Sequence, residues 1–420
     1  LTASEANDIL NMGCSFFSQF VSKYPVFRNL MKRVYFDHNA TTPMAPEVLA
    51  AMLPYFSEEY GNASSIHSFG QNARGAVERA RESVAALLGA RAAEIMFSSG
   101  GTESNNHSIF GVVAAFPGVN KHVITSVIEH SAVLDPCRSL KKLGVEVTVL
   151  PVDREGLVNP DDVRRAIRPE TVLITLMLAN NELGTIEPVE EIGKIAAEKG
   201  IVFHTDAVQA AGKIPIDVNR LGADLLSISA HKFYGPKGVG ALYVRKGTSL
   251  KPLMYGGHSE RDRRPGTENV AAIAGMGKAA DLAVLRLKDE GLRIAALRDR
   301  LENGLLDRIP FARVNGSLAK RTPNTTNLTF PFIEGEAMVI ALDLKGIACS
   351  SGAACSSGAV APSHVLTAIG LAPEDARATL RLSLGHQTTD QEIDFALETI
   401  PPVIARLRQI SPTYKKPAIA

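Results

Sequence analysis

Cysteine is scarce in this chain: four among 420 residues, at Cys14, Cys137, Cys349 and Cys355. That is too sparse for a disulfide framework, so a reducing compartment, the cytoplasm, is expected. No Cys-x-x-Cys pair occurs, which removes the common zinc patterns, and no resident metal is expected. No apolar run reaches ~18 residues, so no membrane span is expected. Neither charge sign is in excess: 45 Lys and Arg against 44 Asp and Glu leave a net charge of +1. Nothing therefore points to nucleic acid or to an anionic membrane. Internal repeats are absent, and the one biased tract is the small-residue run from Cys349 to Ala359. What remains is 45% hydrophobic and 21% charged, enough core for one large or two moderate globular domains.

The first 32 residues read differently from the rest. They begin with Leu1, carry Phe16, Phe17 and Phe20, and show no basic residue before Lys23. That argues against a secretory leader and an arginine-rich transit peptide. Met12-Gly13-Cys14 has the start of a myristoylation signal, but it is internal and Phe17 stands where Ser or Thr is required. Residues 1–32 are expected to be an extension outside the folded core, vector-derived or from upstream translation.

From residue 33 onward strands and helices alternate. Glu94–Phe97, Lys121–Ser126, Val145–Val152, Val172–Leu176, Ile201–His204, Leu225–Ser229 and Ala241–Val244 read as short strands. Between them, Thr102–Val113, Ala132–Leu143, Pro160–Ile167 and Val189–Lys199 read as helices, the last stopped by Gly200. This predicts an α/β fold with a mainly parallel sheet covered on both faces, and ligands at the carboxyl ends of its strands. A long helix from Val270 to about Leu305 leads into a smaller α+β region with strands at Leu328–Phe332 and Thr379–Ser383 and helices at Glu336–Leu344 and Asp390–Arg406. The expected domains are residues 42–285, large, and residues 33–41 with 286–420, small.

Lys232 is the most telling residue. It follows an expected strand in Ser229-Ala230-His231-Lys232, beside the loop Gly235-Pro236-Lys237-Gly238. Lysines at strand ends are usually solvated, yet Ser229 and His231 can both donate to a phosphate, and Asp206 closes the preceding strand. A lysine amine that forms a Schiff base and an acid that pairs with a pyridinium nitrogen are what a pyridoxal phosphate enzyme needs. Asp206 has a plainer reading as a helix cap; Gln209 could reach the same ring. Ser98-Ser99-Gly100-Gly101-Thr102 lies between a strand and a helix, where free N–H groups and the helix dipole suit a phosphate. His130 follows a strand, where it is either structural or stacked on the ring and moving protons. Asn181 is placed to hold the ring's phenolic oxygen. Cys349 reads as a buried small residue. Cys355 lies in a Gly/Ser-rich stretch (about 348–362) expected to be a mobile loop, which makes it a candidate nucleophile. Arg381 sits inside an apolar strand and needs a carboxylate partner, which an amino-acid substrate would supply.

From Tyr35 to Pro412 the chain resembles the group I, NifS/IscS-type cysteine desulfurases, within the fold-type I, class V aminotransferase-like pyridoxal phosphate enzymes. The resemblance rests on Tyr35-Phe36-Asp37-His38-Asn39-Ala40-Thr41-Thr42-Pro43, Gly61-Asn62-Ala63-Ser64-Ser65-Ile66-His67 and Ser99-Gly100-Gly101-Thr102-Glu103-Ser104-Asn105. It continues in Ala179-Asn180-Asn181-Glu182-Leu183-Gly184, Ser229-Ala230-His231-Lys232 and Arg264-Pro265-Gly266-Thr267-Glu268-Asn269. The last motif is Ser350-Ser351-Gly352-Ala353-Ala354-Cys355-Ser356-Ser357-Gly358.

The resemblance implies a homodimer with pyridoxal phosphate on Lys232, Asp206 at the ring nitrogen and His130 stacked on the ring. Gly101, Thr102, Gln209, Ser229 and His231 match cofactor and phosphate ligands, Asn181 contacts the ring or its hydroxyl, and Thr267 matches a phosphate ligand from the other subunit. Asn62 and Arg381 match binders of the substrate carboxylate. Cys355 matches the persulfide-forming nucleophile and is the only candidate for a transient iron–sulfur ligand. The expected reaction turns L-cysteine into L-alanine and passes sulfur to an iron–sulfur scaffold or a sulfur carrier, for cluster assembly or tRNA thiolation.

Two departures stand out: the family usually has Ala at Gly101, read as a mild change, and the tail after Pro412 is shorter than in relatives that dock a scaffold with it. The alternatives are a selenocysteine lyase or another class V enzyme and, far behind, a non-catalytic assembly protein.

Overall fold

Short aliphatic runs bounded by glycine, serine and asparagine pair as strands in the computed structural model, which describes residues 33–351 and 362–414. In chain order the strands are β1 (Val34–Tyr35), β2 (Ile95–Ser98), β3 (His122–Ser126), β4 (Glu146–Leu150), β5 (Thr171–Met177), β6 (Val202–Asp206), β7 (Leu225–Ser229), β8 (Gly240–Val244), β9 (Arg313–Val314), β10 (Thr325–Thr329), β11 (Ile347–Ala348) and β12 (Thr379–Ser383). Seven of them form one sheet in the order β2-β8-β7-β6-β5-β3-β4. β7, β6, β5, β3 and β4 run parallel, and β8 alone is antiparallel to its neighbours β7 and β2.

Side chains alternate between the two faces of a strand, and here each face has its own core. Ile95, Phe97, Ile174, Leu176, Ala241 and Tyr243 pack on one side; Met96, Leu173, Leu242 and Val244 pack on the other. A sheet buried on both faces explains why its strands read as continuous apolar runs. The helix Ser68–Leu88, which joins the first of these cores, adds to the expected elements.

The expected long helix spans Val270–Arg308. Ala272 to Ala280 pack into the core of the seven-stranded sheet. Ile294 to Leu305 pack into a separate core with Leu328, Leu380, Leu382 and Ile400. Between those stretches Val284, Leu285 and Leu292 are exposed. The second core covers a three-stranded antiparallel sheet, β12-β10-β9.

One expected strand is displaced. Leu328–Phe332 was read from its apolar residues, but β10 is Thr325–Thr329, paired in register with Ser383 down to Thr379. Its polar side chains are buried because they find partners: Thr326 Oγ1 donates to Glu302 Oε2 at 2.5 Å, and Asn327 Nδ2 to the Glu182 carbonyl at 3.3 Å. Phe332 lies beyond the strand in the left-handed region, at φ 76°.

Candidate active site

The carboxyl ends of β2, β3, β5, β6 and β7 share one edge of the large sheet, since β2 runs antiparallel to β8 and β8 to β7. Along that edge lies a cavity of about 250 Å³. Gly101, Thr102, His130, Asn181, Asp206, Gln209, Ser229, His231 and Lys232 all line it, together with Asn105. Ten residues from five separate turns thus meet because parallel strands deliver their following loops to the same side.

Asp206 ends β6 and is buried. Its Oδ1 accepts the Val208 N–H at 2.9 Å, closing a turn and not capping a helix, since no helix follows β6, and its Oδ2 accepts Asn105 Nδ2 at 2.6 Å. Asn105 is a further site residue, at the end of the Ser99–Asn105 motif, with no local signal that sets it apart from its helix. Lys232 follows β7 in a short 3-10 turn, Ala230–Lys232. Its amine donates to the carbonyls of Asn39 at 2.6 Å and Ala40 at 2.8 Å. Burial, and after it the positive charge of Arg381, pull its pKa down to about 8. About a tenth of the amine is therefore neutral at pH 7, against less than about a thousandth for an ordinary lysine, which favours its use as a nucleophile and base.

His130 caps the helix Ser131–Lys142: Nδ1 accepts the Ala132 N–H at 3.1 Å. An accepting Nδ1 assigns the proton of the neutral ring to Nε2. Burial lowers its pKa, so the ring is held neutral. The preceding residue, Glu129, is fully buried, and burial pushes its carboxyl up to about 8. Its Oε1 accepts Ser126 Oγ at 2.6 Å and Met177 N–H at 3.0 Å. A neutral acid here spares the site a second buried negative charge beside Asp206. His231 Nδ1 lies 3.1 Å from Thr41 Oγ1, and burial with the nearby Lys232 pulls its pKa down to about 4.

The turn before the helix Gly101–Ala115 opens the cavity. Gly100 takes φ 155°, a conformation that a side chain disfavours. The first-turn N–H groups of the helix have no intrahelical acceptor and offer an anion site. Gly101 is no mild exchange for Ala in this chain. A Cβ there would stand 2.6 Å from Val208 Cγ2. Gly101→Ala is expected to cost about 1–3 kcal/mol of stability, and Val208→Ala should restore it; thermal unfolding of the single and double variants checks both.

Arg381, buried in β12, already has a carboxylate partner. Its Nη2 donates to Asp37 Oδ1 at 2.7 Å and its Nη1 to the Asn181 carbonyl at 3.1 Å. Asp37, 344 residues away in sequence, thus already supplies a carboxylate of the kind expected from an amino-acid substrate. Its Nε is buried without a partner among the described residues, which leaves a donor for a further acceptor.

Two expected ligands stand apart from the cavity. Asn62 is exposed and accepts the Ser64 N–H at 2.8 Å. Thr267 is exposed on a segment tied down at two points. Glu260 accepts both Arg81 Nη1 and Nη2, at 2.7 and 2.8 Å, and Arg264 pairs with Glu103 at 2.9 Å. Glu260, Arg261 and Asp262 all take positive φ, between 49° and 64°, so the segment is strained and held by those pairs.

Cys355 lies outside the described residues, as does Cys14. The chain on either side of residues 352–361 is nevertheless anchored at the site. Ser350 exchanges backbone hydrogen bonds with Arg381, at 3.3 and 2.7 Å. Ser363 Oγ donates to the buried Glu182 Oε2 at 2.6 Å, and His364 Nε2 lies 3.0 Å from the Glu129 carbonyl. Cys137 and Cys349 are buried, and burial pushes both thiols up to about 12. Neither has the character of a nucleophile. Among the described residues no cluster of His, Cys, Asp and Glu is arranged to hold a metal ion, and no helix is long and apolar enough to cross a membrane.

Residues 34–395 match the family model described as aminotransferase class-V. The chain belongs to the class-V aminotransferase family. It is 53% identical over 387 residues to a protein named cysteine desulfurase IscS from Dictyoglomus turgidum, covering 92% of this chain and 98% of that one. A solved NifS-like protein superposes with a TM-score of 0.84 at 39% identity, covering 89% of this chain and 100% of the other. A structure described as SspA in complex with cysteine gives 0.76 at 39% identity, over 85% of this chain and 100% of the other.

Class-V enzymes of this kind use pyridoxal phosphate, and the residues here fit it. The cavity joins an anion-binding helix start to a buried carboxylate and a lysine of lowered pKa. Asp206 keeps lone pairs free after its two hydrogen bonds, enough to accept from a protonated ring nitrogen. The hydrogen bonds around the site also bring in Asn39 and Lys213, which no local sequence signal marks as site residues. Asn39 accepts from Lys213, Gln209 and Lys232 and donates to the Asn181 carbonyl and Thr325 Oγ1.

Proposed function

We infer that this chain is a cysteine desulfurase that converts L-cysteine to L-alanine and captures the sulfur as a persulfide on Cys355. The observation that carries the reading is the anchoring of the described flanks of residues 352–361 on Arg381 and Glu182, the first bonded to the carbonyl of the cavity-lining Asn181 and the second adjoining it in sequence. A cavity built for pyridoxal phosphate alone would fit an aminotransferase equally well. A segment that carries a cysteine and whose described flanks bond residues next to that cavity fits removal of sulfur.

When bound, pyridoxal phosphate holds the substrate amine covalently and takes up the electron pair left at Cα. Lys232 would carry it, Asp206 would keep its ring nitrogen protonated, His130 would lie against the ring, and Gly101, Thr102, Ser229 and His231 would hold its phosphate. Arg381 orients the substrate carboxylate, sharing its guanidinium with Asp37. Lys232 takes the Cα proton. The Cys355 thiolate attacks the substrate sulfur, the Cβ–S bond breaks, and the sulfur stays on Cys355 as a persulfide. Protons returned at Cβ and Cα complete L-alanine.

Leu53, Phe56, Tyr60, Ile66 and Tyr255 are large apolar side chains between 56% and 90% exposed. They support a homodimer, in which exposed Thr267 and Asn62 would serve the partner's site. The persulfide then passes to an iron–sulfur scaffold or a sulfur carrier in the cytoplasm. The decisive assay supplies L-cysteine and a thiol reductant to the chain reconstituted with pyridoxal phosphate. Sulfide and alanine should appear in equal amounts; pyruvate in place of alanine would overturn the assignment.

A further inference from the structure

Lys213 has no part in the chemistry just described, yet its amine reaches two groups at the edge of the site. Its Nζ donates to Gln209 Oε1 at 2.6 Å and to Asn39 Oδ1 at 3.0 Å. Both acceptors are neutral amide oxygens. Burial, followed by the positive charges of Lys232 and Arg381, pulls its pKa well down. Unlike Lys232, it does not line the main cavity with Asp206 and His130.

An amide side chain can present either end, and its neighbours decide which. Lys213 offers N–H to Gln209, so the amide oxygen turns toward Lys213. The backbone carbonyl of Asn39 can only accept, and Gln209 Nε2 donates to it at 2.9 Å. Both neighbours impose the same orientation. Gln209 therefore keeps one amide N–H unused among the described residues, and it lines the cavity wall with Asp206, His130, His231 and Lys232. Asn39 is locked in the same way: its Oδ1 also accepts Asn324 Nδ2 at 3.0 Å, and its Nδ2 donates to the Asn181 carbonyl at 3.1 Å and Thr325 Oγ1 at 2.9 Å. Every hydrogen-bonding position of that amide is in use.

We propose that Lys213 is a positioning residue that fixes the Gln209 amide as an N–H donor to an oxygen of the bound cofactor's ring. This rests on the pyridoxal phosphate reading of the cavity. A donated N–H stabilises the ring oxygen most when the yellow chromophore has lost its proton and that oxygen carries the full negative charge.

The test is a pH titration of the absorbance of the purified, cofactor-loaded enzyme without substrate, for wild type, Lys213→Met, Gln209→Leu and the double variant. Lys213→Met is expected to raise the chromophore's midpoint by about one pH unit and to weaken cofactor binding by about tenfold. The double variant should match Gln209→Leu alone, because Lys213 acts through Gln209. A Lys213→Met enzyme with a lowered melting temperature and an unmoved midpoint overturns the proposal, as does a double variant in which the two shifts add. A wild-type chain that forms no yellow complex overturns the cofactor reading and this inference together.

Discussion

Lys232→Ala is expected to lose the yellow, lysine-bound cofactor absorbance and to cut turnover of L-cysteine by on the order of 10⁴-fold. Two functions are lost together, the covalent attachment and the base for Cα. The environment explains why no neighbour substitutes. Lys213 is committed to Gln209 and Asn39 and does not line the cavity. His130 accepts through Nδ1 at a helix start, which fixes its ring. The same reasoning gives a pH dependence. The lysine's pKa is lowered to about 8, so the neutral fraction of the freed amine grows as pH rises through that value. The substrate-saturated rate should therefore rise with pH over that range. A Lys232→Ala protein with the wild-type spectrum, or one that still turns over at a comparable rate, would sink the assignment.

Cys355→Ala is expected to leave the absorbance spectrum and cofactor affinity unchanged while sulfide and alanine production from cysteine fall by on the order of 10³-fold or more. Binding and proton abstraction belong to the rigid strand ends; removal of sulfur belongs to a thiolate. Spectral changes on adding L-cysteine should therefore persist in the variant. Neither other described cysteine can stand in, since Cys137 and Cys349 are buried with thiols pushed up to about 12. Mass spectrometry of the wild type after a single turnover should find one added sulfur, on the peptide that carries Cys355. Normal alanine release by the variant would disprove the nucleophile assignment.

Much of the site was legible because parallel-sheet enzymes place chemistry at strand ends, and strand ends are local signals. Asp206 and Ser229 end two consecutive short strands and Lys232 lies three residues past the second, and the structure lines one cavity with all three. Asn62 and Thr267 matched family motifs equally well, yet a single chain leaves both exposed. A motif identifies a residue type at a position; it does not say which copy of the chain presents it.

The strand β10 shows the limit of hydrophobic pattern. Thr325, Thr326 and Asn327 are buried because Asn39, Glu302 and Glu182 supply hydrogen bonds from distant parts of the chain. Polar satisfaction of that kind has no local signature, so the apolar residues just downstream drew the strand too far along.

The sequence by itself determined the α/β class, the lysine and acid at consecutive strand ends, the phosphate turn and the cysteine in its small-residue run. Each is encoded within a few adjacent residues. Only the tertiary structure decided that Arg381 is paired with Asp37, that Val208 requires glycine at residue 101, and that Asn39 and Lys213 set the orientation of Gln209. All but the Lys213–Gln209 contact join residues far apart in the chain, and their direction depends on which donors and acceptors the fold brings within about 3 Å.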